Sequence, residues 1–235
     1  MAGFDRYVVV DWSASATPTT GRDSIWIADR SSRDASSRLV NPSTRPAAWS
    51  ELDRLIDHAR ASGQRLLIGV DVGLGYPAGS AAMFGFDGRP WQALCRAVAE
   101  RSVDDDRNRN NRFEVAAELN RSAGLGAGPF WGCPHDRFSP ALERTKPPSV
   151  PVPEYREVET RLRSAGAYPT SCWQLLGAGS VGGQSLTFLP GLWSRLDRVS
   201  VWPLTTGLEP PADHHVAVVV EVWPSRYLTA ASMGG

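Results

Sequence analysis

Short runs of apolar residues, separated by polar turns, predict buried β-strands near both ends of the chain. The clearest strands are predicted at residues 7–10, 65–71 and 216–222, each built around a run of apolar and β-branched side chains. Weaker strands are predicted at residues 24–28, 37–40 and 199–202. Because a polar segment joins the first two runs, the chain is predicted to begin with a β-hairpin.

A different periodicity, with apolar residues recurring at intervals of three and four, predicts an amphipathic helix between positions 46 and 63. Gly63 is a suitable residue to end it. Further helices are predicted at 91–101, 113–122, 154–165 and 184–196, the last of them broken near Pro190. The glycine- and proline-rich stretches 72–90 and 124–153 are predicted to lack regular structure.

The order of these elements predicts an α/β fold. Hairpin strands are followed by a helix, a strand, a long insertion, a helix and a final strand, an order that indicates a mixed sheet with helices on both faces. The first, fourth and last strands are expected to be parallel. A chain of 235 residues is long enough for one substantial core. We therefore expect a single domain, residues 1–235, with an insertion at about 72–180.

Charge and cysteine content narrow the classes of protein to consider. The chain carries 25 basic and 25 acidic residues, so no global field draws it to nucleic acid or to a membrane. Lys146 is the only lysine, and arginine is suited to gripping phosphate, although a GC-rich genome also favours arginine. Three widely spaced cysteines do not suggest a disulfide framework. With no apolar signal region or membrane-length run, we expect a cytoplasmic protein.

Carboxylates stand at or near the ends of the three clearest strands, at Asp11, Asp71 and Glu221. Ligand sites of open α/β sheets lie at the carboxyl ends of parallel strands, and acids on three adjacent strands span about 10 Å. Such acids repel one another unless a cation or a shared proton offsets their charge, and Mg²⁺ or Mn²⁺ prefers oxygen ligands. The alternative interpretation is that each acid caps the turn that follows its strand.

Three segments around these acids resemble the signature motifs of the DUF429-type group, a predicted nuclease family of the ribonuclease-H-like superfamily. The segments are VVVDWS at 8–13, IGVDVGLGYP at 68–77 and VEVWPS at 220–225. The resemblance covers both ends of the chain and its first third, but not the region from about 85 to 180. It implies a ribonuclease-H-like fold and an Mg²⁺-dependent phosphodiester hydrolase in which Asp11, Asp71 and Glu221 are the catalytic metal ligands.

Relatives in that superfamily commonly take another acid from a C-terminal helix. Here no acid follows Glu221 in the sequence as far as residue 235. Three interpretations stay open: three carboxylates are enough, another region supplies a fourth, or cleavage has been lost.

Several other residues are candidates for binding a substrate phosphate. Gly179 and Ser180 belong to a glycine pattern at 177–182 whose amides, at a helix start, would meet a phosphate. The same pattern occurs in dinucleotide sites, but no clear strand precedes it and no acid follows the next strand, so a plain tight turn is the alternative. Arg109 and Arg112 are three apart, and on one helical face they would clamp phosphates, unless that face is simply solvated. Ser13 follows Asp11 in the polar hairpin and is a further candidate.

The sequence therefore favours an Mg²⁺- or Mn²⁺-dependent phosphodiester hydrolase acting on nucleic acid or on a phosphorylated nucleotide. A second hypothesis is an ATP-dependent phosphotransferase on a related fold, in which the serine- and threonine-rich hairpin after Asp11 grips the nucleotide phosphates. A third is a non-catalytic protein that binds nucleotides or nucleic acid. We do not expect the protein to bind a membrane, and the sequence does not determine its oligomeric state.

Overall fold

The computed structural model of the chain describes residues 3–34, 36–177 and 179–224. Within these residues the chain forms two compact units. The first is made of Met1–Val72 together with Arg195–Gly235, and the second is Gly73–Ser194. Among the described residues, no helix has both the length and the apolar character needed to cross a membrane.

The first unit contains a six-stranded mixed sheet in its described part. Its elements are β1 (Arg6–Asp11), β2 (Trp26–Ser31), β3 (Ser37–Val40), α1 (Arg45–Ser62), β4 (Leu66–Val70), β5 (Ser200–Trp202) and β6 (Ala217–Glu221). The strand order is β3-β2-β1-β4-β6-β5. β2 is antiparallel to both of its neighbours, and all other pairs are parallel. The predicted α/β class, the opening hairpin and the parallel first, fourth and last strands are confirmed.

One face of this sheet forms the core of the first unit against α1. Alternate side chains along β1, at Val8 and Val10, are almost fully buried. The helix contributes Leu52, Leu55 and Ile56 to this core. Its ends follow from local chemistry: the Thr44 side chain accepts a hydrogen bond from the amide of residue 47, and Gly63 ends the helix in a left-handed conformation.

The other face of β1 is open to solvent. Tyr7 and Val9 are 42% and 43% exposed, in contrast to Val8 and Val10 on the opposite face. Asp11 follows the same alternation and lies at the end of the open face.

The second unit is built from helices. They are α2 (Ser80–Met83), α3 (Pro90–Arg101), α4 (Arg112–Ser122), α5 (Glu157–Ser164) and α6 (Gly182–Trp193). An aromatic cluster of Tyr76, Phe84, Phe130 and Trp173 joins the loops between them, with the rings of Tyr76 and Trp173 stacked at 5.0 Å.

Two helices differ from the sequence prediction. The stretch 72–90 was expected to be irregular throughout, yet it contains the short helix α2. The predicted break near Pro190 is wrong, because α6 continues through this proline to Trp193. Proline removes one hydrogen bond from a helix, but here Leu186, Phe188, Leu189 and Leu192 are buried, and their packing outweighs that loss.

A candidate acidic site at the carboxyl ends of the parallel strands

Asp11, Asp71 and Glu221 come together at one end of the sheet. Asp11 is the last residue of β1, Asp71 directly follows β4, and Glu221 is the last residue of β6. These three strands are adjacent, with β4 in the middle, and all three are parallel. The carboxyl ends of parallel strands meet at the same end of a sheet. The structure therefore places the three predicted acids on neighbouring strand ends.

Asp11 and Asp71 lie at the same height. The last residues paired between β1 and β4 are Val10 and Val70, and the ladder continues with a 3.0 Å hydrogen bond from the Asp71 amide to the Val10 carbonyl oxygen. Each acid is thus one residue beyond this pair and on the same face. Neighbouring strands are about 4.8 Å apart, so the two carboxylates stand side by side.

Glu221 is offset by one position from the other two acids. It pairs with Val70 rather than with Asp71, and it is Val222 whose amide donates to the Val70 carbonyl oxygen, at 3.0 Å. Because side chains alternate between the two faces of a strand, this register assigns Glu221 to the face opposite Asp71. The expectation of three acids at matched heights therefore holds for Asp11 and Asp71, and Glu221 departs from it.

The electrostatics show that the acids act on one another. The pKa of Asp71 is raised from its ordinary value of 3.8 to about 6, first by burial and then by repulsion from Asp11 and Glu221. The pKa of Asp11 is also raised, first by burial and then by the charge of Asp23. The end of the sheet therefore carries uncompensated negative charge, and protonation of Asp71 relieves part of it as the pH falls to about 6 and below.

Asp23 is the acid that sequence reasoning missed. It lies in the hairpin between β1 and β2, with a φ of 60°, and its carbonyl oxygen accepts a hydrogen bond from the Ser13 hydroxyl at 3.2 Å. Its place in the sequence is consistent with this position, since Asp23 is three residues before Trp26, and Trp26 pairs with Asp11 in the hairpin. A fourth acid near this end of the sheet therefore comes from the hairpin rather than from the C-terminal region.

A buried arginine shapes the hairpin that carries Asp23. Arg45, only 1% exposed, donates hydrogen bonds from Nη1 to the carbonyl oxygens of Ser13 and Ser15, at 3.2 and 2.7 Å. The Ser13 hydroxyl oxygen also accepts a hydrogen bond from the Ser15 amide, at 3.2 Å. Ser13 thus organises the loop in this structure, and its contact with a substrate stays a prediction.

The donor chemistry of the site suits a divalent cation, whereas its present geometry suits one only in part. Carboxylate oxygens are the ligands that Mg²⁺ prefers. Among the described residues, however, no three His, Cys, Asp or Glu side chains are placed to hold a metal ion together. Glu221 is offset by one residue from the Asp11 and Asp71 pair, although its charge still contributes to the raised pKa of Asp71.

The predicted phosphate-binding arginines belong to the second unit, while the acids belong to the first. Arg109 precedes α4, which begins at Arg112, so the two do not share a helical face as expected. Arg109 is 76% exposed and pairs with Asp105 at 2.6 Å. The Arg112 guanidinium lies 4.3 Å above the Phe113 ring and donates to Asn110 at 2.9 Å. Arg109 instead lies in a turn before α4, where the Asp105 carboxylate accepts hydrogen bonds from the amides of residues 107 and 109.

The glycine pattern at 177–182 forms a turn that leads into α6. The Ser180 amide donates to the Gly177 carbonyl oxygen and the Gly182 amide to the Gln174 carbonyl oxygen, at 3.1 and 3.0 Å. A Cβ at Gly182 would come within 2.5 Å of the Cys172 carbonyl oxygen, so close packing explains this glycine. Gly179 is exposed with a φ of 68°, as a tight turn requires. Phosphate binding by Gly179 and Ser180 stays a prediction, and two amides of the turn are already occupied.

Comparison of the chain with protein-family models, with curated proteins and with solved structures gives no match. A functional proposal therefore depends on the sheet, on the acids at its end and on the chemistry these acids support.

Proposed function

We propose that the chain is an Mg²⁺- or Mn²⁺-dependent phosphodiester hydrolase of the nuclease type, with Asp11 and Asp71 as its central acids and Glu221 as the third. The observation that carries the proposal is the placement of Asp11 and Asp71 side by side at the ends of adjacent parallel strands. The raised pKa of Asp71, caused by burial and by both other acids, supports it.

A cation is the natural partner of this arrangement. Partly buried carboxylates that repel one another cost free energy, and a divalent ion would offset that cost above about pH 6, where Asp71 is ionised. A bound Mg²⁺ would supply stabilisation of the negative charge that develops on a phosphodiester during cleavage. The motif resemblance at 8–13, 68–77 and 220–225, together with the mixed α/β sheet, supports a ribonuclease-H-like interpretation.

The chain's own residues would prepare the site for that ion. Because the pKa of Asp71 is raised to about 6, the group is protonated below that pH, and cation binding there is coupled to proton release. Asp23 adds a further negative charge beside Asp11. Arg45 fixes the hairpin between them through the carbonyl oxygens of the loop.

The substrate would be nucleic acid or a phosphorylated nucleotide. A chain of balanced charge does not attract long polyanions through its overall field, so a short or structured substrate is favoured. In the alternative phosphotransferase, the hairpin hydroxyls would grip nucleotide phosphates. In the structure the Ser15 hydroxyl instead donates to the Thr17 carbonyl oxygen at 2.9 Å and contacts the Thr19 hydroxyl at 3.2 Å. These contacts do not favour the phosphotransferase.

Cleavage assays with single-stranded, duplex and hairpin oligonucleotides, in Mn²⁺, Mg²⁺ or EDTA, test the proposal. We expect metal-dependent cleavage that falls on the order of 100-fold or more in Asp11→Asn and Asp71→Asn. The cleavage rate of Glu221→Gln shows whether the offset acid is needed for hydrolysis. Asp87→Asn, which changes an exposed acid of the second unit, is the control and should cleave normally.

Two results would overturn the proposal: no cleavage of any of these substrates by the native chain, or an undiminished rate in Asp71→Asn. Thermal shifts with ATP and with oligonucleotides then separate the alternatives. Stabilisation by ATP with Mg²⁺ but not by oligonucleotides would indicate the phosphotransferase. Binding without turnover, unchanged in Asp71→Asn, would indicate the non-catalytic protein.

A further inference from the structure

A polar cleft of about 520 Å³ opens in the first unit, at the end of β1 opposite to Asp11. The described residues that line it are all charged or carry a hydroxyl group: Arg6, Asp29, Ser36, Ser37, Arg38 and Arg54. The volume lies within the range of small-molecule sites, about 300–1,000 Å³, but most such sites have an apolar lining. The composition of this cleft therefore suits a small, strongly polar ligand.

The pairing of the first three strands places two of the arginines around one acid. Asp29 pairs with Val8 on one side and with Arg38 on the other, so all three side chains share the face of the sheet on which α1 packs. Arg6 donates two hydrogen bonds to the Asp29 carboxylate, one of them from Nε at 3.1 Å. Asp29 is only 5% exposed and thus fixes the Arg6 guanidinium at the base of the cleft.

Helix α1 supplies the third arginine and a second acid. Arg54 donates from Nε and Nη2 to the two carboxylate oxygens of Glu51, at 3.0 and 2.6 Å. Arg38 donates to the same carboxylate from across the cleft. Glu51 therefore holds two guanidinium groups, one from the strand and one from the helix, close to the Arg6 and Asp29 pair.

In the cluster formed by Arg6, Asp29, Arg38, Glu51 and Arg54, positive charges outnumber negative charges, and the ion pairs do not use all of the N–H donors. Three guanidinium groups face two carboxylates, which leaves one positive charge. Each guanidinium has five N–H donors, and the ion pairs of Arg6 and Arg54 use two each. The serine hydroxyls at 36 and 37 add further polar groups to the wall. Planar guanidinium forks, fixed in advance by carboxylates, are suited to the oxygens of a phosphate group.

We propose that this cleft is a binding site for the phosphate group of a small phosphomonoester. It is separate from the acidic site, because Arg6 and Asp11 stand at opposite ends of β1, about 16 Å apart at 3.3 Å per residue. The two sites also belong to opposite faces of the sheet, since Asp11 follows the open face of β1. The proposal is therefore independent of metal binding and of hydrolysis.

Calorimetric titration with inorganic phosphate and with AMP, in EDTA at low ionic strength, tests this site, with chloride at equal ionic strength as the reference. We expect saturable binding that weakens by about tenfold in Arg38→Gln and in Arg54→Gln. Arg161→Gln is the matched control, because Arg161 is an exposed arginine paired with an exposed acid, Glu157, in the second unit. It should bind as the native chain does. Arg6 is left unchanged, since its loss would leave the buried Asp29 without its partner.

Glu51→Gln gives a test of opposite sign. The substitution removes the carboxylate that occupies Arg38 and Arg54 but keeps the shape of the side chain, so phosphate should bind several-fold more tightly. A merely structural ion-pair network predicts no phosphate binding in any variant. The proposal is overturned if the native chain responds to phosphate only as it does to chloride. It is equally overturned if Arg38→Gln binds as well as the native chain, or if Glu51→Gln does not bind more tightly.

Discussion

Asp71 stands level with Asp11, one residue beyond the last paired positions of two parallel strands, and its amide is hydrogen-bonded to the carbonyl oxygen of the residue before Asp11. The strand ladder thus extends to the two acids and holds their backbones in register. Burial of Asp71 is the main reason why its pKa is high, and repulsion from Asp11 and Glu221 raises the pKa further. The arrangement therefore lowers the stability of the fold at neutral pH unless a proton or a cation is bound.

Asp71→Asn is expected to stabilise the chain at pH 7.5 in EDTA. The pKa of Asp71 is raised from 3.8 to about 6, so the folded state holds its proton more tightly than the unfolded state. Stability is thus lost as the pH rises from about 4 to 6, and the penalty is complete above 6. After allowance for solvent screening at this half-buried position, the free energy of unfolding of the variant should be about 1–2 kcal/mol higher than that of the native chain. Urea unfolding at pH 4 and pH 7.5 measures the difference, which should vanish at the lower pH. An equally stable or weaker variant at pH 7.5 contradicts the prediction.

Asp11→Asn is expected to lower the pKa of Asp71 towards its ordinary value. Burial is the largest cause of the shift, and the charges of Asp11 and Glu221 add to it. Glu221→Gln should therefore act in the same direction. Titration of the Asp71 carboxyl carbon by NMR, in EDTA, follows both variants. Asp87→Asn should leave the titration unchanged, and a constant Asp71 pKa in Asp11→Asn would show that the two carboxylates do not interact.

Arg45→Gln is expected to destabilise the first unit by about 2–4 kcal/mol. The guanidinium is almost fully buried, and its loss leaves the carbonyl oxygens of Ser13 and Ser15 without these donors. Arg45→Lys should restore only part of the stability, because an ammonium group is a single point donor. Arg60→Gln, on the exposed side of the same helix, is the control for urea unfolding. A loss below about 0.5 kcal/mol in Arg45→Gln would refute the role given to this residue.

Gly182→Ala is expected to destabilise the second unit by about 1–3 kcal/mol in the absence of any ligand. The new Cβ would meet the carbonyl oxygens of Cys172 and Gln174 at 2.5 and 2.6 Å, and backbone atoms cannot move aside cheaply. Gly3→Ala, where a Cβ meets nothing within 4 Å, serves as the control. Urea unfolding measures both. If Gly182→Ala is as stable as the native chain but binds nucleotides less well, the turn is a ligand site rather than a packing device.

Much of the first unit was predictable because its signals are local. Apolar runs at 7–10, 66–70 and 216–220 mark strands, and intervals of three and four mark the helix before Gly63. Each apolar run marks a strand wherever it is placed, so the strand ends, and with them the acids, follow from the sequence alone, although the predicted burial of the run 7–10 holds for only one of its faces. The α/β class, the parallel central strands and the position of Asp11, Asp71 and Glu221 at one end of the sheet were determined in this way.

The remaining features depend on which distant segments pair and pack. Strand register gives Asp11 and Asp71 the same height and shifts Glu221 by one residue, and no local pattern encodes a register. The hairpin carries Asp23 towards Asp11, and tertiary packing takes α6 past Pro190. Arg6, Asp29, Arg38 and Arg54 meet in one cleft only because three strands and a helix bring them together. The sequence by itself determined where the main strands and the first helix lie and where each of these strands stops. Only the tertiary structure decided which charges face one another, because that depends on contacts between residues far apart in the chain.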